Sequence, residues 1–130
     1  MSLVAGTVVF TRGDQSFFLV TEQAPRARFY TVKMHKHKNE TALGSLLTGF
    51  KSDLGLSIEN LRLSELAVWH DASLQVGPIS LFTFTPVNIE AIDFERLHAV
   101  GLAFMNARDV RELLKSVDMT AVAGFDEGKH

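Results

Sequence analysis

The residues of this chain that could do chemistry gather in two neighbouring stretches, a basic run from Arg26 to Lys38 and a polar face between Ser45 and Asp53. Seven basic or titratable side chains, Arg26, Arg28, Lys33, His35, Lys36, His37 and Lys38, fall within thirteen residues, and no acid lies between Glu22 and Glu40. Lysine and arginine pair with anions through charge-assisted hydrogen bonds, so the run is either a local anion site or a solvated basic loop. His35 and His37 share one side of an extended segment, but two histidines without a third ligand make a poor zinc site. Downstream, Gly49, Ser52 and Asp53 stand at i, i+3 and i+4, side by side on a helix face that carries a single charge. Gly49 is costly there, since a mid-helix glycine gives up about 1 kcal/mol relative to alanine. The position either needs the space for a close approach or has drifted.

A helix through this face is predicted from Asn39 to Leu56. Ala42, Leu43, Leu46, Leu47, Phe50 and Leu54 recur at steps of three and four and form the apolar stripe that faces a core, with Ser45, Thr48, Gly49, Ser52 and Asp53 opposite. Asn39 or Thr41 offers a side-chain oxygen for its start and Gly55 suits its end. Upstream, Val4 to Phe10 and Ser16 to Glu22 read as a hairpin about Arg12-Gly13-Asp14, and Phe29 to Met34 as a short strand feeding the basic loop. Downstream, Asn60 to His70 and Ile79 to Val87 read as strands, with Gly77-Pro78 marking the turn before the second. Asn88 to His98 reads as a polar loop with acids at Glu90, Asp93 and Glu95, and a final helix is predicted over Ala107 to Ser116 with Val110, Leu113 and Leu114 on its buried side. Tyr30, Phe82 and Phe84, at alternating strand positions, read as core rather than as surfaces on which a base would stack. Two helices flanking a mixed sheet make a three-layer α/β/α sandwich.

The register of the predicted helix resembles the signature of the Nudix hydrolases, the MutT-like family. There a glycine, five residues, a glutamate and seven residues lead into Arg-Glu-aliphatic-any-Glu-Glu-any-Gly-aliphatic. Over Met34 to Leu56, without a gap, Glu40 falls on the first glutamate, Phe50 on the aliphatic position, and Gly55 and Leu56 on the closing pair. Asp53 stands conservatively for one metal-binding glutamate, Gly49 and Ser52 replace two others, Thr48 replaces the arginine and Met34 the opening glycine. The order of elements resembles that family from about Val4 to Val117, including a strand and last helix near Gly101 to Leu114 that Asn106 or Asp109 helps to start. The resemblance implies a Nudix-like α/β/α sandwich with a mixed β-sheet and a loop-helix-loop signature segment. It places one domain over residues 4–117 and a tail over 118–130.

Nudix enzymes hydrolyse a nucleoside diphosphate linked to another moiety, with a divalent metal held by the signature glutamates. If this chain is active, the resemblance therefore implies Mg²⁺, which takes one or two carboxylates plus substrate oxygens. Here the helix supplies Asp53 alone, and Glu40 is in that family more a structural partner than a metal ligand. Glu90, Asp93 and Glu95 occupy the stretch where several Nudix enzymes carry a catalytic base, and are otherwise a solvated loop. Because the basic run borders the diphosphate pocket of that fold, Arg28, Lys33, His35, Lys36 and Lys38, with Gly49 and Ser52, are the expected contacts of a phosphorylated ligand. Three functions follow. One is a nucleotide-binding protein with weak or absent hydrolase activity. Another is an active, divergent Mg²⁺-dependent hydrolase using Asp53 with Glu90, Asp93 or Glu95, and the third is a homodimeric interaction module.

Composition narrows the field. At 130 residues the chain has length for one core, and its 46% hydrophobic and 22% charged residues are those of a globular domain. A formal charge of −2 gives no global attraction to nucleic acid or an anionic membrane, so any anion site is local. The absence of cysteine excludes a disulfide framework, a thiolate nucleophile and cysteine-ligated zinc. Apolar runs are interrupted well short of the roughly 18 residues of a membrane span, and a cytoplasmic location is expected. No serine-histidine-aspartate spacing, phosphate-binding glycine loop or nucleic-acid module is evident.

Overall fold

A computed structural model of the chain describes residues 2–22, 27–34, 41–70 and 77–118. Its first strand, β1 (Ser2–Arg12), is long enough to serve two sets of partners. The first half lies between β3 (Tyr30–Met34), antiparallel with Val4 opposite Val32, and β5 (Ile79–Pro86), parallel with Val4 opposite Ser80. The second half turns at the predicted hairpin into β2 (Gln15–Thr21), with Val9 opposite Phe18. Strand β6 (Leu102–Asn106) pairs with β2, β4 (Leu61–Trp69) with β5, and the two-residue β7 (Val117–Asp118) with the end of β4, all antiparallel. Among the described residues the order is β6-β2-β1-β5-β4-β7 with β3 beside β1, a mixed sheet curled about β1.

Period-two alternation sorts the strands between two cores. Val4, Val8 and Leu19 face one side of the sheet, where α1 (Ala42–Ser52) and α2 (Phe94–Ala99) pack, while Ala5, Val20 and Trp69 face the other, where Val110 and α3 (Arg111–Lys115) pack. The expected α/β/α sandwich is the observed one. Buried Thr7 keeps its place because its hydroxyl donates to the Leu19 carbonyl at 2.8 Å.

Two expectations need correction. Asn88 to His98 is not a loop throughout: it holds a 3-10 turn, Ile89–Ala91, and then α2, whose cap is Asp93, with Oδ1 accepting from the Arg96 N–H at 3.1 Å. The last helix is shorter than predicted. Residues 107–110 form a turn, and Asn106 takes the Arg108 N–H at 2.8 Å rather than capping a helix. Residues 119–130 lie outside the described residues.

Helix α1 starts at Thr41, whose Oγ1 accepts the Gly44 N–H at 2.9 Å, and its chain reverses at Gly55 with φ +68°. Asn39, the other cap candidate, is outside the described residues. Burying Leu46, Phe50 and Leu54 contributes roughly 5–9 kcal/mol of transfer free energy. The buried face also takes in Ser45 and Gly49, which the apolar periodicity places on the polar side. The reason is β3. A Cβ on Gly49 would meet the Tyr30 hydroxyl at 2.5 Å and Val32 Cγ1 at 2.8 Å, and a Cβ on Gly6 of β1 would meet Leu46 at 2.6 Å. The helix is thus seated on glycine at two points, and Gly49 is a packing requirement. Helix propensity alone predicts that Gly49→Ala stabilises by about 1 kcal/mol. We expect a loss of about 1–3 kcal/mol instead, because Tyr30 and Val32 must move; urea unfolding measures the sign.

Candidate functional site

The carboxyl end of α1 borders a cavity of about 620 Å³. It collects parts of the chain that are far apart in sequence: Arg28, Tyr30 and Thr31 at the start of β3, Ser52 and Asp53 at the end of α1, and Val100 and Leu102 between α2 and β6. Buried Phe29, Leu54 and Leu102 give it apolar walls. Arg28 is placed by a backbone bridge to Thr21, whose N–H donates to the Arg28 carbonyl at 2.7 Å while its Oγ1 accepts the Arg28 N–H at 3.1 Å.

Asp53 closes α1, its N–H donating to the Gly49 carbonyl at 2.8 Å. Its carboxylate is engaged: the Tyr30 hydroxyl donates to Oδ2 at 2.9 Å. Burial, then the hydrogen bond to Asp53 and its negative charge, push the Tyr30 hydroxyl well above the ordinary tyrosine range. Arg96, not singled out by sequence, reaches across from α2. Its Nη2 donates to the Ser52 carbonyl at 3.1 Å, and its side chain lies so close over Gly55 that a Cβ there would meet Arg96 Cδ at 2.7 Å. A guanidinium at this point complements the negative end of the α1 dipole.

Of the residues expected to contact a ligand, the cavity brings together Arg28 and Ser52, and with them Asp53, expected as the catalytic or metal-binding acid. Gly49 lies one turn back, covered by Tyr30 and Val32. Lys33 is exposed on the face of β3 opposite Tyr30 and Val32, as strand alternation requires, and does not line the cavity. Glu90, Asp93 and Glu95 are exposed around the start of α2, and none of them lines the cavity either. His35, Lys36, Lys38 and Glu40, with Arg26 and His37, fall outside the described residues. Among the described residues Asp53 is therefore the single acid of the cavity wall, and no group of three histidines or acids could hold a metal ion. For Mg²⁺, which takes one or two carboxylates plus substrate oxygens, the described part of the cavity wall offers one, and Tyr30 already engages it.

The fold matches that of C. elegans Ap4A hydrolase with a TM-score of 0.61, at 11% identity over 88% of this chain and 86% of that one. It also matches Shewanella oneidensis NrtR complexed with a 27mer DNA, with a TM-score of 0.56 at 10% identity over 98% of this chain. The fold is Nudix-like. The chain spans 57% of the length of that NrtR chain. No family model matches the sequence, and no curated protein matches it.

Within this Nudix-like fold, two contributions escaped sequence reasoning. The Tyr30–Asp53 bond joins residues 23 apart in sequence, and nothing local signals it. Arg96 had a signal, because Asp93 with Glu95 two residues later is a helix-start pattern that would have placed Arg96 on a helix. No described helix is long and apolar enough to cross a membrane.

Tyr30 is the only tyrosine, so absorbance near 295 nm reports it alone. Its ionisation is expected above the ordinary value of about 10. In Asp53→Asn it should move down without reaching that value, since burial is the larger cause. The folded value being raised, this group's stabilisation is complete below about pH 10 and is lost as pH rises through the folded pKa. A wild-type inflection at the ordinary value would contradict the pairing of half-buried Tyr30 with Asp53.

Proposed function

We propose that this Nudix-like domain binds a nucleotide or a related phosphorylated ligand in the cavity at the carboxyl end of α1, with weak or absent pyrophosphohydrolase activity. The observation that carries this is the make-up of the cavity wall: among the described residues a guanidinium, Arg28, and a carboxylate, Asp53, line the same apolar-backed space. The planar fork of an arginine matches phosphate oxygens. A bare anion is disfavoured near Asp53 and the negative end of the α1 dipole, whereas sugar hydroxyls can donate to Asp53 and exchange hydrogen bonds with Ser52. A ligand with phosphate at one end and hydroxyls beside it satisfies both halves. The Nudix-like fold, shared with C. elegans Ap4A hydrolase, makes nucleotides the ligand class to test first.

Hydrolysis by the Nudix route rests on several carboxylates around a metal. On this reading the signature at Met34 to Leu56 is degenerate, with Gly49 and Ser52 in place of two of them. Binding should then need no metal. Calorimetry in EDTA should detect ADP and inorganic pyrophosphate, and Arg28→Ala should weaken both by about tenfold or more, the loss of a charge-assisted hydrogen bond. Equal binding by Arg28→Ala would refute the assignment of the anion site. Mg²⁺-dependent turnover of nucleoside diphosphate derivatives, abolished by Asp53→Asn, would refute the weak-activity reading.

A further inference from the structure

A second cavity, of about 370 Å³, opens on the same side of the sheet, between α2 and the β1–β2 hairpin. Four phenylalanines line it: Phe10, Phe17, Phe94 and Phe104. Phe10 stacks on Phe17 at 5.1 Å and meets Phe104 edge-on at 4.9 Å, and Phe94 meets Phe104 edge-on at 5.5 Å. The cluster is not sealed like a core. Phe94 is 45% exposed, a cost for a large apolar ring that a neighbouring occupant would remove. Two polar side chains stand at the opening. The Arg12 guanidinium lies 5.7 Å over the Phe10 ring, and His98 is held by Glu22, Nδ1 to Oε1 at 3.1 Å.

The two cavities share a wall residue. Leu102 lines both, and Phe104, two residues further along β6 and on the same face, lies about 7 Å away. We propose that the aromatic cavity receives the planar base of the ligand whose phosphate is held at Arg28, an inference that rests on the nucleotide-binding reading above. The volume sits at the small end of ligand pockets, suited to a ring system rather than to a whole nucleotide. The partly exposed Phe94 ring beside Phe104 offers aromatic contact to a flat π system, which an aliphatic occupant would not use. Arg12 supplies hydrogen-bond donors for the carbonyl and ring-nitrogen acceptors at the edge of a base, and complements the negative charge that a nucleotide carries.

The test uses three probes on the full chain: adenosine, which has a base and no phosphate, inorganic pyrophosphate, which has the reverse, and ADP. The variant is Phe94→Leu, which keeps apolar volume at an exposed position and removes the ring. Circular dichroism melting checks that it folds, and transferred saturation between phenylalanine and adenine ring protons on the wild type gives a readout independent of any variant. The proposal expects Phe94→Leu to weaken adenosine and ADP by about tenfold while pyrophosphate is unchanged. Adenosine binding within twofold of wild type in Phe94→Leu, or no adenosine binding by the wild type, overturns it. In either case, pyrophosphate binding that Arg28→Ala removes leaves the phosphate reading standing. Conversely, adenosine bound and lost in Phe94→Leu, with pyrophosphate unbound, upholds the ring site and refutes the phosphate site.

Discussion

The site depends on how closely α1 approaches the sheet. That separation is set by Gly6 beneath Leu46 and by Gly49 beneath Tyr30 and Val32, two points where a methyl group would not fit without movement. The closeness has a chemical consequence. Residues 49 and 53 are one turn apart on the same stripe of the helix, so a tyrosine ring lying over Gly49 delivers its hydroxyl to Asp53. The missing side chain at 49 and the hydrogen bond at 53 are one arrangement.

The end of α1 would otherwise be a poor place for an acid, because free carbonyls and the helix dipole already make it negative. Two donors offset this from different directions, Tyr30 toward the carboxylate and Arg96 toward the Ser52 carbonyl. Arg96 also ties α2 to α1, and α2 with the turn after it contributes to both cavities. The cap of α2 by Asp93 therefore reaches the site indirectly: it fixes the helix from which Arg96 extends.

What the sequence made legible was local. The hairpin, the apolar stripe of α1 and the cap at Thr41 all follow from patterns within a few residues, and the structure agrees with them. Helix α2 was missed because six residues make less than two turns, too few for periodicity to register, while its polar composition reads equally as loop. Gly49 was legible as an anomaly but not as a contact, since its cause lies on β3. Of the basic run only Arg28 and Lys33 are among the described residues. Closeness in sequence suggested a single site, yet Arg28 lines the cavity and exposed Lys33, on the face of β3 away from Tyr30, does not. The cavity joins Thr21, residues 28–31, residues 52–54, Val100 and Leu102, an assembly no window on one sequence can reveal.

The burial of Gly49 bears on the relation between packing and chemistry. On the proposed register, Gly49 stands where the Nudix signature carries a metal-binding glutamate, and in this fold it is covered by a tyrosine hydroxyl and a valine methyl. A carboxylate at that point would be desolvated against Val32 and repelled by Asp53 one turn away, and neither penalty is repaid unless a cation is bound. A helix built to hold metal and a helix seated this closely on β3 are competing solutions for the same stripe. The present packing adopts the second, so on the reading proposed above the phosphate is held by groups that approach the cavity from outside α1, while Ser52 and Asp53 meet the hydroxyls. Arg28, fixed by its bridge to Thr21, is the described residue that meets that requirement.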